Sequence, residues 1–274
     1  MSKEMIGEIE LNRIYQRDCI EGMRLLPDNS VDLTVTSPPY DDLRDYKGYS
    51  FDFEATAEEL YRVTKDGGVV VWVVGDRTKN GSETGTSFKQ ALFFKETGFN
   101  LHDTMIYEKD SISFPDTNRY YQVFEYMFVL SKGKPRTFNL ISDRKNKWAD
   151  GKKKIRGGER QSDGSLIGRR KGNLLKPYGV RFNIWRIPAG KNKSTKDTIA
   201  YQHPAIFPES LANDHILTWS NPDEIVFDPF MGSGTTAKMA ALNNRKFLGF
   251  EISEEYVAIA NERLDILKEA PHDE

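Results

Sequence analysis

Apolar residues recur along the chain in two rhythms. Residues 31–36 (VDLTVT) and 69–74 (VVVWVV) are short, nearly continuous apolar runs, the pattern of strands buried on both faces of a sheet. Further strands are expected at 12–17, 104–107, 124–130, 224–227 and 246–251. Helical spacing appears between them, at 20–26, 55–64, 87–96, 210–217 and 235–242. In the helix at 87–96, Phe88, Leu92 and Phe93 are the expected apolar face. A last helix carries Val257, Ala260, Leu264 and Leu267 as one stripe. Strands alternating with helices predict an α/β fold, a doubly wound, mostly parallel sheet of Rossmann-like form with helices on both faces.

Residues 133–202 break this rhythm. Glycine-rich basic runs (DGKKKIRGG, GRRKG) are interleaved there with Trp148, Tyr178, Phe182 and Trp185. The formal net charge is -2, yet 20 Lys and Arg face only 4 Asp and Glu between Lys132 and Lys196, out of 39 and 41 in the whole chain. An acidic body therefore carries a basic segment. Cations meet phosphates and rings stack on bases, so this segment suits nucleic acid, although a solvated loop would share its composition. The expected organisation is 1–132, an inserted region at 133–202 with a small core of its own, and 203–274. No apolar run approaches the roughly 18 residues of a membrane span. The single cysteine, Cys19, forbids an internal disulfide and points to the cytoplasm. His102, His203, His215 and His272 are scattered, so no metal site is expected.

Two motifs carry chemistry. Asp228-Pro229-Phe230-Met231-Gly232-Ser233-Gly234-Thr235-Thr236 lies between a strand and a helix, where glycines let backbone approach a ligand at the carboxyl end of a parallel strand. The next strand ends in Glu251, which can accept both hydroxyls of a ribose or serve as a helix N-terminal charge. Thr36-Ser37-Pro38-Pro39-Tyr40 ends the strand at 31–36, and the prolines hold its carbonyls at fixed angles. An exocyclic base amine is a poor nucleophile because its lone pair is delocalised into the ring. Acceptors at Ser37 and Pro38, aimed at its N–H bonds, would draw the nitrogen toward tetrahedral geometry, and the Tyr40 ring can stack on the base. Alone, the glycine loop also fits a plain tight turn between strand and helix, and the tetrapeptide a stiff surface turn.

Together, and in this order, they resemble the DNA amino-methyltransferases acting on cytosine N4 or adenine N6, in the permuted class whose catalytic motif precedes the cofactor motif. The resemblance covers both flanks of the basic segment. It implies that Ser37, Pro38, Pro39 and Tyr40 are catalytic and that S-adenosylmethionine is the cofactor. Asp228, Pro229, Phe230, Gly232, Ser233, Gly234, Thr235 and Thr236 would form the cofactor loop, with Glu251 on the ribose. Asp18 and Cys19 match the segment near the cofactor's adenine amine, and Phe207, in the His203–Leu211 stretch, would close the site. The basic middle becomes the target-recognition region on double-stranded DNA, with Lys152, Lys153, Lys154, Arg156, Arg169, Arg170 and Lys171 as DNA contacts. Ser at the first position of the tetrapeptide is commoner among enzymes of cytosine N4, Asp among those of adenine N6. Methylation at carbon 5 of cytosine needs a nucleophilic cysteine, and Cys19 lies far from the tetrapeptide in sequence. A second copy of the chain and a cognate restriction endonuclease are the protein partners left open. The competing readings are an RNA methyltransferase on the same cofactor fold and a non-catalytic DNA-binding protein. Neutralising Lys152, Lys153 and Lys154 together should flatten the dependence of DNA affinity on salt concentration, read as the slope of log K against log salt. An unaltered slope would make that run a spectator.

Overall fold

The apolar runs become strands of one sheet. The computed structural model describes residues 3–39, 51–110, 117–147, 149, 158–168 and 175–269. Among them, eight strands pair in the main sheet: β1 (Arg13–Gln16), β2 (Val31–Thr36), β3 (Thr64–Val74), β4 (Asn100–Glu108), β5 (Phe124–Ser131), β6 (Ile184–Arg186), β7 (Ile225–Asp228) and β8 (Lys246–Glu251). Their order in space is β6-β4-β5-β3-β2-β7-β8-β1. Only β5 runs antiparallel to its neighbours, β4 and β3; the other pairs are parallel. The helices are α1 (Cys19–Met23), α2 (Phe53–Val63), α3 (Thr86–Glu96), α4 (Glu209–Trp219), α5 (Thr235–Leu242) and α6 (Glu254–Glu269).

Why β3 has no polar face is visible in its partners. Val70, Trp72 and Val74 pack with Met23, Leu60 and Phe94 of α1–α3. Val69, Val71 and Val73 pack on the opposite face with Leu211, Ile216, Ala237 and Ala260 of α4–α6. Each such side chain contributes roughly 1.5–3 kcal/mol by leaving water. Strands β2 and β7 lie side by side, with Val226 opposite Leu33 and Phe227 opposite Thr34. After them the chain diverges, to β3 on one side and to β8 on the other. Such a switch point opens a crevice at the carboxyl edge of an α/β sheet.

Two hydrogen bonds cross that point. Thr36 Oγ1 donates to Asp228 Oδ1 at 2.6 Å, and Thr236 Oγ1 donates to the Val35 carbonyl at 3.1 Å. The end of β2 and the loop after β7 are thereby tied together, although Thr36 and Asp228 are 192 residues apart.

Three expectations are corrected. The helix at 87–96 buries Ser87, Gln90, Ala91 and Phe94, while Phe88 and Leu92 are 50% and 59% exposed. Polar partners turn it: Asp76 accepts from the Ser87 amide at 2.9 Å and from its hydroxyl, and Gln90 accepts from Trp72 Nε1 at 2.9 Å. Trp185 is no surface ring for nucleic acid. It is a buried residue of β6, stacked on His215 at 4.5 Å. A small core of its own is expected in the middle of the chain, and none appears among the described residues there. The chain divides into two compact units, Met1–Asn139 with Asn183–Glu274, and Leu140–Phe182. The second is narrower than 133–202 because β6 joins the main sheet through β4. None of its described residues is buried, since its composition leaves little to bury. Within it, Arg144–Lys145 pairs with Tyr178–Gly179 and Gly158–Arg160 with Leu166–Gly168, Arg181 bridges Asp143 at 2.5 Å, and Arg144 lies over the Phe182 ring at 4.6 Å.

Burial pushes the Asp228 carboxyl up to about 7, against the bonds from Thr36 and the Phe230 amide. A group whose pKa is higher folded than unfolded gives stability at acid pH that is lost as pH rises through its folded value. Wild-type chain should thus lose on the order of 2 kcal/mol between pH 5 and pH 8 that Asp228→Asn keeps, in denaturant titrations at both pH values. Equal losses in the two proteins would remove Asp228 from this role.

Candidate functional site

One cavity of about 1460 Å³ opens along the carboxyl edge of the sheet, in the larger unit. Each strand end contributes a piece of its wall. Asp18 and Cys19 follow β1; Ser37, Pro38 and Pro39 follow β2. From the loop after β7 come Asp228, Pro229, Phe230, Gly232, Ser233, Thr235 and Thr236; Glu251 ends β8, and Phe207 precedes α4. The two motifs therefore share a wall. Gly234 stands behind it: at φ +80° it starts α5, and a Cβ there would lie 2.8 Å from that of Ala260. Tyr40 lies outside the described residues, as do Lys152, Lys153, Lys154, Arg156, Arg169, Arg170, Lys171 and Trp148.

Local bonding sets each carboxylate. Asp18 caps α1, with Oδ1 accepting from the amides of Ile20 at 2.9 Å and Glu21 at 3.1 Å. Glu251 accepts from the Gly232 amide at 2.8 Å through Oε2 and from the Ser253 amide at 2.9 Å through Oε1. It thus serves as a brace for the glycine loop and the start of α6, and each oxygen keeps a further lone pair. Burial raises its pKa, and the backbone amides oppose that shift. Burial likewise pushes the Cys19 thiol up to about 12, so it is no thiolate nucleophile.

Several wall residues carried no signal in the sequence. Phe51 meets Phe230 edge to face at 5.1 Å. His203 packs on Tyr256 at 4.3 Å, and a Cβ on Gly232 would come within 3.1 Å of its Nε2. His203 belongs to a stretch in which only Phe207 stood out. Nothing in the spacing of Phe51 or Tyr256 marks a ligand wall; only the packing gathers them.

The donor set suits S-adenosylmethionine. Carboxylates that are fixed but not saturated can take hydroxyl and amine hydrogens, aromatic and proline surfaces can flank a purine, and a loop that must be glycine allows close backbone approach. A group of this size would leave part of the cavity for a second occupant beside Ser37 and Pro38.

Comparisons with known proteins agree. The orphan methyltransferase M.BamHII of Bacillus amyloliquefaciens is 75% identical over 237 residues, covering 86% of this chain and 89% of that protein. The structure of TTHA0409 from Thermus thermophilus, complexed with S-adenosyl-L-methionine, is similar with a TM-score of 0.62 at 25% identity, over 95% of either chain. The PvuII DNA methyltransferase, described as cytosine-N4-specific, has a similar fold, with a TM-score of 0.66 at 21% identity over 91% of this chain and 85% of that one. A family model for N6 and N4 methyltransferases, described as DNA methylase, matches residues 31–262. Neither an RNA-directed enzyme nor a non-catalytic binder fits this set. The chain belongs to that family: it is a DNA amino-methyltransferase that takes its methyl group from S-adenosylmethionine.

Proposed function

We propose that the chain methylates N4 of cytosine in double-stranded DNA, at a defined sequence and on a base turned out of the helix. What carries this reading is the single cavity wall shared by the proline-braced corner and the glycine loop. Ser37, in place of an acid, selects cytosine over adenine.

S-adenosylmethionine supplies an electrophilic methyl group on a sulfonium centre. The chain's own contribution is proximity and polarisation. The Ser37 hydroxyl and the Pro38 carbonyl accept the two N–H bonds of the target amine, so its lone pair leaves the ring and becomes available for attack. Buried Pro38 cannot swing away, and the strand end behind it is tied to Asp228. The Tyr40 ring stacks on the extruded base, and stacking worth about 1–3 kcal/mol offsets part of the cost of extrusion. Glu251 accepts the ribose hydroxyls. Its carboxylate is already oriented by the Gly232 and Ser253 amides, so little rotamer freedom is lost on binding. Asp18 would hold the adenine amine, its Oδ1 being spent on capping α1 and its Oδ2 left for the cofactor. Cys19, Phe207, Pro229 and Phe230 supply apolar surface. Residues 140–182 meet DNA, with Lys152, Lys153, Lys154, Arg156, Arg169, Arg170 and Lys171 on phosphates.

Ser37→Ala should lower kcat by about 100–1,000-fold, the scale on which loss of a single preorganised hydrogen-bonding group acts, with cofactor affinity unchanged. Loss of cofactor affinity instead would mean that the catalytic corner is misplaced. Glu251→Ala should raise the cofactor Kd about tenfold, equivalent to about 1.4 kcal/mol, in calorimetric titration. An unchanged Kd would leave Glu251 with its bracing role alone. Single-molecule sequencing of DNA from cells expressing the chain reports base and motif together. N4-methylcytosine at one motif is expected, and N6-methyladenine without it would overturn the choice of base.

A further inference from the structure

Behind the glycine loop, away from the cavity, lies a buried ionic cluster that the transfer chemistry does not use. Arg263 of α6 has a side chain that is 0% exposed, and Lys238 of α5 is 10% exposed. They face two carboxylates, Asp197 and Glu209. Lys238 Nζ lies 2.7 Å from Asp197 Oδ2 and 2.7 Å from Glu209 Oε1. Arg263 Nε donates to Asp197 Oδ2 at 2.9 Å, and Nη2 to Glu209 Oε1 at 2.8 Å. Its Nη1 is spent elsewhere: 2.6 Å from the Ser233 carbonyl, 3.2 Å from Ser233 Oγ and 3.1 Å from Thr235 Oγ1.

Two cations and two carboxylates balance in charge, yet burying the cations and most of each carboxylate is costly, and an apolar cluster of equal volume is often no less stable. Neutralisation alone would not require a guanidinium that reads a backbone carbonyl. The geometry is informative. Asp197 and Glu209 stand at either side of a strap whose ends close on each other, the Glu209 amide donating to the Ser194 carbonyl at 2.9 Å. Between the two acids the strap presents His203 and Phe207 to the cavity. Ser233 belongs to the glycine loop, which lines the same cavity and packs against the strap at His203. One planar fork therefore holds both segments, and a planar fork fixes angles as well as distances, which an ammonium on a flexible stem does not.

We propose that Arg263 is a positioning residue that locks the glycine loop and the strap bearing His203 and Phe207 at one spacing, and so sets the width and the affinity of the cofactor pocket without touching the cofactor. The inference rests on that pocket being the S-adenosylmethionine site.

The test uses Arg263→Lys in the full chain, which keeps the charge and removes the fork. Calorimetric Kd for S-adenosylmethionine should rise about tenfold, with kcat at saturating cofactor and DNA within about twofold of wild type, the pattern of lost binding common to ground and transition states. A variant that melts earlier but keeps its Kd would overturn the proposal, since the cluster would then serve stability alone. A fall in kcat with unchanged KM would overturn it too. If Arg263→Lys does not fold, Glu209→Gln, which leaves the fork in place and loosens the strap, should raise Kd as well, and an unchanged Kd in that variant counts equally against it. Glu251→Ala measured alongside separates the failures. If neither Glu251→Ala nor Arg263→Lys moves Kd, the pocket itself is misassigned; if only Glu251→Ala moves it, Arg263 has no positioning role.

Discussion

The hydrogen bond from Thr36 to Asp228, with its companion from Thr236 to the Val35 carbonyl, is the constraint on which the site depends. Direct transfer through an amine needs no covalent intermediate, so everything rests on holding acceptor and donor groups at a fixed separation. The proline-braced corner follows β2 and the glycine loop follows β7, and the intervening chain is long enough to wander. The parallel pairing of β2 with β7 puts both strand ends on one edge. The two threonine bonds then remove the remaining freedom between them.

This arrangement has an energetic cost that explains the chemistry of its parts. Asp228 must be buried to sit between the strands, and burial disfavours its charged form. Two donors, Thr36 Oγ1 and the Phe230 amide, make the burial tolerable. Glu251 shows the same compromise one strand over: its carboxylate is half-buried, and two backbone amides keep it oriented. Behind the loop, Arg263 and Lys238 repeat the pattern with opposite charge. The pocket is thus polar because its polar groups restrain one another. Each bond that satisfies a buried group also fixes a wall.

The two compact units are built differently. The larger unit buries apolar side chains on both faces of its sheet and supports the cavity. The smaller one, Leu140–Phe182, has no buried residue among those described and is held within itself by hairpin pairing, by the Arg181–Asp143 bridge and by Arg144 over Phe182. Under the proposed reading, the exposed rings among its described residues would face DNA, whereas methyl transfer requires a rigid frame.

Much of this was legible along the chain. Periodicity alone located β2, β3, β7 and β8 and the helices between them, because a strand buried on both faces must be apolar throughout. The order of the two motifs marked the family, and the reactive corner and glycine loop stood out because only proline and glycine give the backbone those shapes. Tertiary structure decided what depends on partners distant in sequence. The face of α3 was misread because Ser87 and Gln90 are buried through bonds to Asp76 and Trp72, which no hydropathy scale can anticipate. Trp185 looked like a surface ring in a basic stretch, but pairing of β6 with β4 brought it into the core. The walls supplied by Phe51, His203 and Tyr256, and the lock of Arg263 on Ser233, likewise exist only once the chain is closed. Local sequence determines which backbone shapes and which apolar faces are available; which polar groups satisfy one another is a property of the folded whole.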